Sequence, residues 1–212
     1  ILDGAAVRVS MVGFDNGSQT QRFLDNLSVK QINADLTSTV DLTQALNLNE
    51  NHHIAFMGDT KQGPFDIEWS VAQKMLAEDS NPNGRPNSDV IRPWYNGLDI
   101  TRRPRNMWII DFGTEMSKEQ AMQYLLPFAH VMEHVKTQRD RDERDWYRAE
   151  WWLHYAPRPV FRRAIEHLTR YIGTARVAKH RLFIWLDKSI LPDSQIIAIA
   201  RDDDYFFGVL HS

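Results

Sequence analysis

Apolar residues recur along this chain with two different periods. Short runs rich in β-branched or aromatic residues, bounded by turn formers, predict strands at residues 5–14, 53–57, 107–112, 170–177, 181–186 and 196–200. Spacing near 3.6 predicts helices at 67–76, 118–135, 140–152 and 160–168. The longest has a defined start, because Ser117 precedes Lys-Glu-Gln and puts Gln120 at the third helical position of a capping box. Strands and helices do not alternate regularly, which argues against a doubly wound parallel sheet. The expectation is an α+β fold, a mixed or antiparallel sheet with several packed helices.

Residues 80–87, S-N-P-N-G-R-P-N, hold two prolines, a glycine and three asparagines, and read as a loop. They mark a possible sub-domain junction within a domain spanning 1–212. The chain enters its first strand pattern almost at once without an initiator Met, and Y-F-F-G-V-L-H-S at its end starts a helix-like pattern that is cut short. A fragment of a larger polypeptide is therefore expected.

With 212 residues and 42% apolar content, the chain is long enough to bury about 70% of its unfolded surface without a disulfide or metal staple. The absence of cysteine excludes thiol catalysis, disulfide frameworks and cysteine-ligated zinc. No apolar run approaches the roughly 20 residues that span a bilayer, and no secretory leader pattern opens the chain, so no membrane partner and a cytoplasmic location are expected.

The net charge of −3 conceals a pattern. Residues 1–84 carry 5 basic and 11 acidic side chains, residues 85–181 carry 18 and 12, and residues 182–212 carry 2 and 5. A polyanion responds to a local face rather than to the sum. Fifteen of the 18 basic residues in the middle segment are Arg, the side chain that forks onto phosphate or guanine. Residues 139–148 alternate in sign at helical spacing and read as a solvated helix face. Two clusters lack local compensation: Arg102, Arg103 and Arg105, which follow a turn-like Asn96-Gly97 and a short extended piece, and seven basic residues from Arg158 to Arg181 against Glu166 alone.

Several chemical motifs are weaker than they look. His130 to His134 matches the H-x-x-E-H pattern of inverted zinc peptidases, but Ala129, Met132 and Val135 read as packing positions of the same helix. Asp59-Thr60-Lys61 resembles the end of a magnesium nuclease site without a strong partner acid, since Asp41 and Glu50 lie in polar loop sequence. Asp202-Asp203-Asp204 either holds a divalent cation or caps a helix, and capping is the simpler reading. There is no G-x-G-x-x-G, no G-x-x-x-x-G-K and no G-x-S-x-G. Asn81-Pro82-Asn83-Gly84 shares only its first two residues with the N-P-P-aromatic tetrad of adenine methyltransferases. No catalytic residue and no cofactor are expected in these residues.

Six stretches together resemble a known family: G-A-A-V-R-V-S-M-V (4–12), F-M-G-D-T-K-Q-G-P-F (56–65), N-P-N-G-R-P-N-S-D-V-I-R-P-W (81–94), N-G-L-D-I-T-R-R-P-R (96–105), R-Y-I-G-T-A-R-V-A-K-H-R (170–181) and A-R-D-D-D-Y-F-F-G-V-L-H-S (200–212). They are similar, in order, to the target recognition domain of MmeI-like type II restriction-modification enzymes. The resemblance implies double-stranded DNA as partner and a parent chain with an adenine methyltransferase domain upstream and an endonuclease. It also implies S-adenosylmethionine and magnesium as cofactors of that parent. It places specificity-setting side chains near Thr174 to Arg181.

The residues themselves agree with that reading. Runs 170–177 and 181–186 suit a hairpin, and a two-stranded ribbon fits the major groove. Alternation would send Thr174, Arg176 and Ala178 to one face as base readers, with Lys179, His180 and Arg181 beside them. Lys61, Arg92, Arg102, Arg103, Arg105 and Arg170 are the expected phosphate contacts, which set register rather than sequence. The competing readings are a protein-docking domain anchored by Trp94, Tyr95, Trp151 and Trp152, and a zinc or magnesium hydrolase.

Overall fold

The computed structural model describes residues 11–41, 43, 45–46, 48–78, 81–141 and 148–212, and the chain divides into two compact units, Ile1–Asn49 and Glu50–Ser212. In the first unit, β1 (Arg22–Leu24) and β2 (Leu27–Val29) pair antiparallel with Arg22 opposite Val29. Asp25 and Asn26 join them with φ of 50° and 65°, the left-handed pair that a tight hairpin turn demands and that Asp and Asn tolerate. Of the strand expected at 5–14, residues 5–10 lie outside the described residues, and 11–14 are exposed and not in a strand.

The second unit contains β3 (Ala55–Met57), β4 (Asp66–Glu68), β5 (Ile91–Tyr95), β6 (Met107–Ile110), β7 (Arg170–Ala175), β8 (Phe183–Asp187), β9 (Leu191–Pro192) and β10 (Ile196–Ile199). Its helices are α1 (Trp69–Leu76), α2 (Gly97–Thr101), α3 (Lys118–Ala121), α4 (Leu125–Val131), α5 (Thr137–Arg139), α6 (Pro159–Ala164) and α7 (Asp204–Val209), with a π-helical turn, Met132–Lys136, between α4 and α5. One sheet has the order β3-β10-β7-β8 and is antiparallel throughout. The other has the order β4-β6-β5-β9, antiparallel except for the parallel β5–β9 pair. The fold is α+β with antiparallel and mixed sheets, as the irregular alternation of periods predicts.

Each sheet has its own apolar core. Phe161, Ile165 and Leu168 pack with Tyr171, Leu186 and Ala198 on the first. On the second, Ile91, Trp94, Ile109 and Ile110 pack with Ala72 and Met75 of α1 and with Val131 and Val135. Full burial of one such large side chain contributes roughly 1.5–3 kcal/mol, so these contacts, not helix propensity, hold elements this short. Trp94 and Trp151 are 2% and 5% exposed. They are core residues, which removes them as anchors for a docking partner.

Several elements differ from expectation for identifiable reasons. Pro93 disguises β5. Strand β9 pairs only with Trp94 and Tyr95, so at Pro93 that edge is open and the missing N–H disrupts no ladder. The helix expected at 118–135 starts as predicted, with Ser117 Oγ accepting the Gln120 N–H at 3.2 Å and Gln120 Oε1 accepting the Ser117 N–H at 2.9 Å. It stops at Ala121 and restarts at Leu125, which puts Pro127 in a first turn, where its lack of an N–H costs nothing. Ile67 belongs to β4, opposite Trp108, and the helix follows it. The acidic run resolves as a cap: Asp203 accepts the Phe206 N–H at 2.7 Å at the start of α7. Of the helix expected at 140–152, residues 142–147 lie outside the described residues. Arg139 is not on a solvated face. It is buried, and its guanidinium donates to the carbonyls of Lys61, Gln62, Glu150 and Leu153.

The asparagine-rich loop is pinned inside the second unit. Asn81 Nδ2 donates to the Arg85 carbonyl and to Asn87 Oδ1, both at 2.8 Å, Asn87 Nδ2 donates to the Met75 carbonyl at 2.8 Å, and Asn81 Oδ1 accepts the Leu125 N–H at 3.1 Å. These bonds tie the end of α1 to the start of α4.

Candidate nucleic-acid interface

Residues 96–101 read as turn plus extended piece in the sequence, but they fold into α2. Asn96 Oδ1 accepts the Leu98 N–H and Asp99 Oδ2 accepts the Asn96 N–H, both at 2.8 Å, which is a capping box. Asp99 does more than cap. Its Oδ1 accepts the Arg105 N–H at 2.8 Å, and its Oδ2 accepts from Arg105 Nη2 at 2.8 Å. Burial alone would raise the Asp99 pKa, but the bonds from Arg105 and the backbone outweigh it and hold the carboxyl below its usual range. Arg105 therefore closes the 96–105 loop and is not free for an external anion.

Helix α2 packs against β7. Gly97 makes the approach possible, because a Cβ there would stand 3.3 Å from the Gln195 carbonyl oxygen and 3.6 Å from Ala175 Cβ. Strands β7 and β8 form an antiparallel hairpin from Arg170 opposite Asp187 to Thr174 opposite Phe183, connected by residues 176–182. Asn96, Gly97, Leu98 and Thr101 on one side, and Val177 and Gln195 on the other, line a groove of about 250 Å³. Arg102 and Arg103 leave α2 on one side of it. Arg176, Lys179, His180 and Arg181 lie in the β7–β8 connection on the other.

This arrangement is electrostatically one-sided. Arg102, Arg103, Arg176, Lys179 and Arg181 are all exposed, and none has a carboxylate partner among the described residues. Arg176 Nη1 donates only to Met57 Sδ at 3.5 Å, and Arg181 donates to the Ala175 carbonyl. No carboxylate lines the groove.

The other expected contacts are elsewhere. Thr174 is buried, 5% exposed, between Ile197 and Phe183 of the neighbouring strands, with its hydroxyl unpartnered among the described residues, and β7 ends at Ala175, so the alternation does not continue through 176 and 178. Ala178 is half-buried. Lys61 Nζ donates to Asp66 Oδ1 at 2.6 Å and to the Gly63 carbonyl at 2.9 Å. Arg92 donates to the carbonyls of Ser189 and Lys188 at 3.1 and 3.0 Å. Arg170 begins β7, roughly 17 Å of strand from Ala175; it stacks 3.8 Å over Trp185 and donates to Asp204 at 2.7 Å. Within the run from Arg158 to Arg181, Arg162 and Arg170 are thus compensated by acids remote in sequence and Arg158 is held by the Gly58 carbonyl.

The densest compensation is a buried charge cluster that ties the loops of the two sheets together. Arg162 Nη1 donates to Asp111 Oδ2 at 2.6 Å, and Nη2 donates to Asp59 Oδ2 at 2.6 Å and to Asp111 Oδ1 at 3.0 Å. His154 Nδ1 lies 3.1 Å from Asp59 Oδ1 and Nε2 lies 2.9 Å from the Ile110 carbonyl, so both ring nitrogens face acceptors, an arrangement that an imidazolium satisfies. Among the described residues, Asp59, Asp111 and His154 are the one set of three potential ligands with donor atoms within 4.8 Å of one another. They do not fit a magnesium ion, because the Arg162 fork already caps both carboxylates. The H-x-x-E-H residues belong to no such set; burial holds His130 below its usual pKa, and its ring packs 4.3 Å from that of His134.

Burial would raise the Asp111 pKa, but the charges of Arg162, His154 and Arg92 and the bonds from Arg162 drive it well below the usual carboxylate range. A depressed folded pKa stabilises the fold fully above the unfolded value of about 3.9 and loses that contribution as pH falls towards the folded value. Denaturant midpoints should therefore be insensitive to Asp111 ionisation near pH 7 and decline as pH is lowered below about 4. In Asp111→Asn that part of the acid dependence should be missing, as urea titrations across pH would record.

No family model matches the chain, and a search of curated proteins finds no match. A solved structure does. The chain is similar in fold to MmeI, a type IIL restriction-modification enzyme whose structure was determined in complex with DNA. The superposition has a TM-score of 0.60 at 13% identity and covers 88% of this chain and 24% of that one. At that identity the likeness with MmeI is one of fold, and this chain spans about a quarter of the enzyme's length.

Sequence reasoning missed three kinds of residue. Gln195 lies in a turn with no periodic signal, Leu98 lies in the helix read as extended, and the Asp59–Asp111–Arg162 cluster joins positions up to 103 residues apart. The last leaves no trace in any sequence window.

Proposed function

We propose that this chain is a sequence-specific recognition module for double-stranded DNA belonging to a restriction-modification enzyme. The observation that carries the reading is the groove between α2 and the β7–β8 connection, flanked by five cations without carboxylate partners among the described residues. The likeness in fold to an enzyme whose structure was determined in complex with DNA adds to it. Arg102 and Arg103 hold phosphates and fix the register, while Arg176, with Lys179, His180 and Arg181 around it, faces base edges in the major groove. Arg105, Lys61, Arg92 and Arg170 support the scaffold through their internal partners. In this reading the chemistry is supplied by an adenine methyltransferase, which takes its methyl group from S-adenosylmethionine, and by a magnesium-dependent endonuclease in the same polypeptide. The module contributes grip on the flanking duplex, which helps offset the few kcal/mol needed to extrude an adenine.

Selection from a pool of randomised duplexes tests this. The chain should enrich a fixed short sequence, and Arg176→Ala should relax the preference for one G·C pair by roughly 5- to 150-fold, the worth of a bidentate Arg–guanine contact. Recovery of random sequences bound as tightly as any selected one would count against sequence recognition.

A further inference from the structure

Resting on the DNA reading above, we infer that the groove recognises an A·T base pair next to the one read by Arg176, through Gln195 with Leu98 and Val177. Gln195 sits in the turn between β9 and β10 and is exposed, and its side-chain amide has no hydrogen-bond partner among the described residues. Its backbone is fixed on three sides. Its N–H donates to Asp193 Oδ1 at 2.8 Å, its carbonyl accepts the Arg176 N–H at 2.7 Å, and Gly97 abuts it. An adaptable amide is thus mounted on a rigid base.

A free amide presents one donor and one acceptor side by side, the pattern that matches N7 and the N6 amino group of adenine. Nε2 would donate to N7 while Oε1 accepts from N6. Val177 and Leu98, which line the same groove, are 82% and 46% exposed. Exposed apolar groups beside an amide donor–acceptor pair suit the thymine methyl of the same base pair. The surrounding cations and the absence of any lining carboxylate favour a polyanion as the occupant over a protein surface.

Register supplies the adjacency. The β7–β10 ladder ends at Ala175 with Ile196, and one residue beyond it the Arg176 N–H donates to the Gln195 carbonyl at 2.7 Å, so the two backbones are in contact. Successive base pairs rise by about 3.4 Å, so two such side chains reach neighbouring pairs without rearrangement. The preferred sequence therefore contains an A·T pair contiguous with the G·C pair that Arg176 specifies.

The test is the same duplex selection, run on the full chain and its variants. Gln195→Ala should lose the adenine preference at one position by roughly 5- to 150-fold and leave the other positions unchanged. That position should adjoin the one relaxed by Arg176→Ala. Gln195→Glu, with acceptors only, should shift the preference there towards cytosine. Replacing the thymine of that pair by uracil should weaken binding about 4-fold, the worth of one buried methyl, and Val177→Ser should reduce that difference. Circular dichroism should be unchanged, because the substituted side chains are exposed. Specific DNA binding that survives Gln195→Ala with every preference intact, or a relaxed position remote from that of Arg176, overturns the inference and leaves the DNA reading standing. Failure of the unmodified chain to bind duplex DNA at low salt overturns both.

Discussion

Arg162→Ala should lower the stability of the fold by about 3–5 kcal/mol, the usual cost of stranding a buried charge. Asp59 and Asp111 have fully or almost fully buried side chains, and the Arg162 fork reaches both. Removing it leaves two carboxylates facing each other away from water, with His154 and the more distant Arg92, 3.6 Å from Asp111, as the remaining counter-charges. Against a typical total of 5–15 kcal/mol that is a large fraction, and for a chain of this size it corresponds to a fall in Tm of roughly 10 °C. Adding Asp111→Asn to Arg162→Ala should restore part of the loss, because the second change removes a stranded charge instead of a useful bond. Urea denaturation of the four proteins in that cycle reads the coupling. A loss below about 1 kcal/mol for Arg162→Ala would mean that the cluster does not join the sheets as the geometry implies.

The double variant Arg102→Ala/Arg103→Ala should bind every duplex about 60-fold more weakly at 100 mM salt, with its sequence preference unchanged. The figure follows from counterion release: two phosphate contacts each contribute about 0.9 to the salt exponent, and 0.1 M raised to about 1.8 gives the factor. Both side chains lie on the loop after α2 without a carboxylate partner among the described residues, so their loss unpairs nothing inside the protein. Unfolding midpoints should stay within about 0.5 kcal/mol of the parent. A change of preferred sequence in this variant would exchange the roles of the positioning and reading surfaces.

How much of this was legible in the sequence depends on the range of the interaction. Ser117 with Gln120 and Asp203 with Phe206 are local capping bonds, and their residues announce them. The strands at 55–57, 107–110, 170–175 and 196–199 fall inside predicted runs and 183–187 extends one residue past its run, because apolar segments of this kind pack against the cores. Strand β5 was hidden by Pro93, whose tolerance depends on where β9 stops pairing, and β9 lies 97 residues away in sequence, apposed only at Trp94 with Leu191 and Tyr95 with Pro192. Helix α2 was hidden because Asn96-Gly97 is equally good turn chemistry, and the capping box that decides the matter requires Asp99 to turn back.

The site divides along the same line. Arg102, Arg103, Arg176, Lys179 and Arg181 were visible as a local excess of positive charge, and they remain exposed without carboxylate partners among the described residues. Part of the remaining cationic excess was apparent only. Arg158 donates to the Gly58 carbonyl, Arg162 is held by Asp59 and Asp111, and Arg170 is held by Asp204, partners that no charge count over a window can find. Even Asp99, six residues from Arg105, escaped notice because the residues after Asn96-Gly97 read as an extended piece and not as the capped helix that turns its carboxylate back.

Measuring the association constant for a duplex against salt concentration, for the chain and for Arg102→Ala/Arg103→Ala, tests the cationic groove most directly. The two phosphate contacts of Arg102 and Arg103 predict a logarithmic slope of at least about −1.8 for the chain, a fall of roughly 12-fold or more between 50 and 200 mM, and a slope shallower by about 1.8 for the variant. A slope near zero for the chain, as an apolar docking surface would give, or an identical slope for both proteins, would contradict the assignment of this surface to DNA.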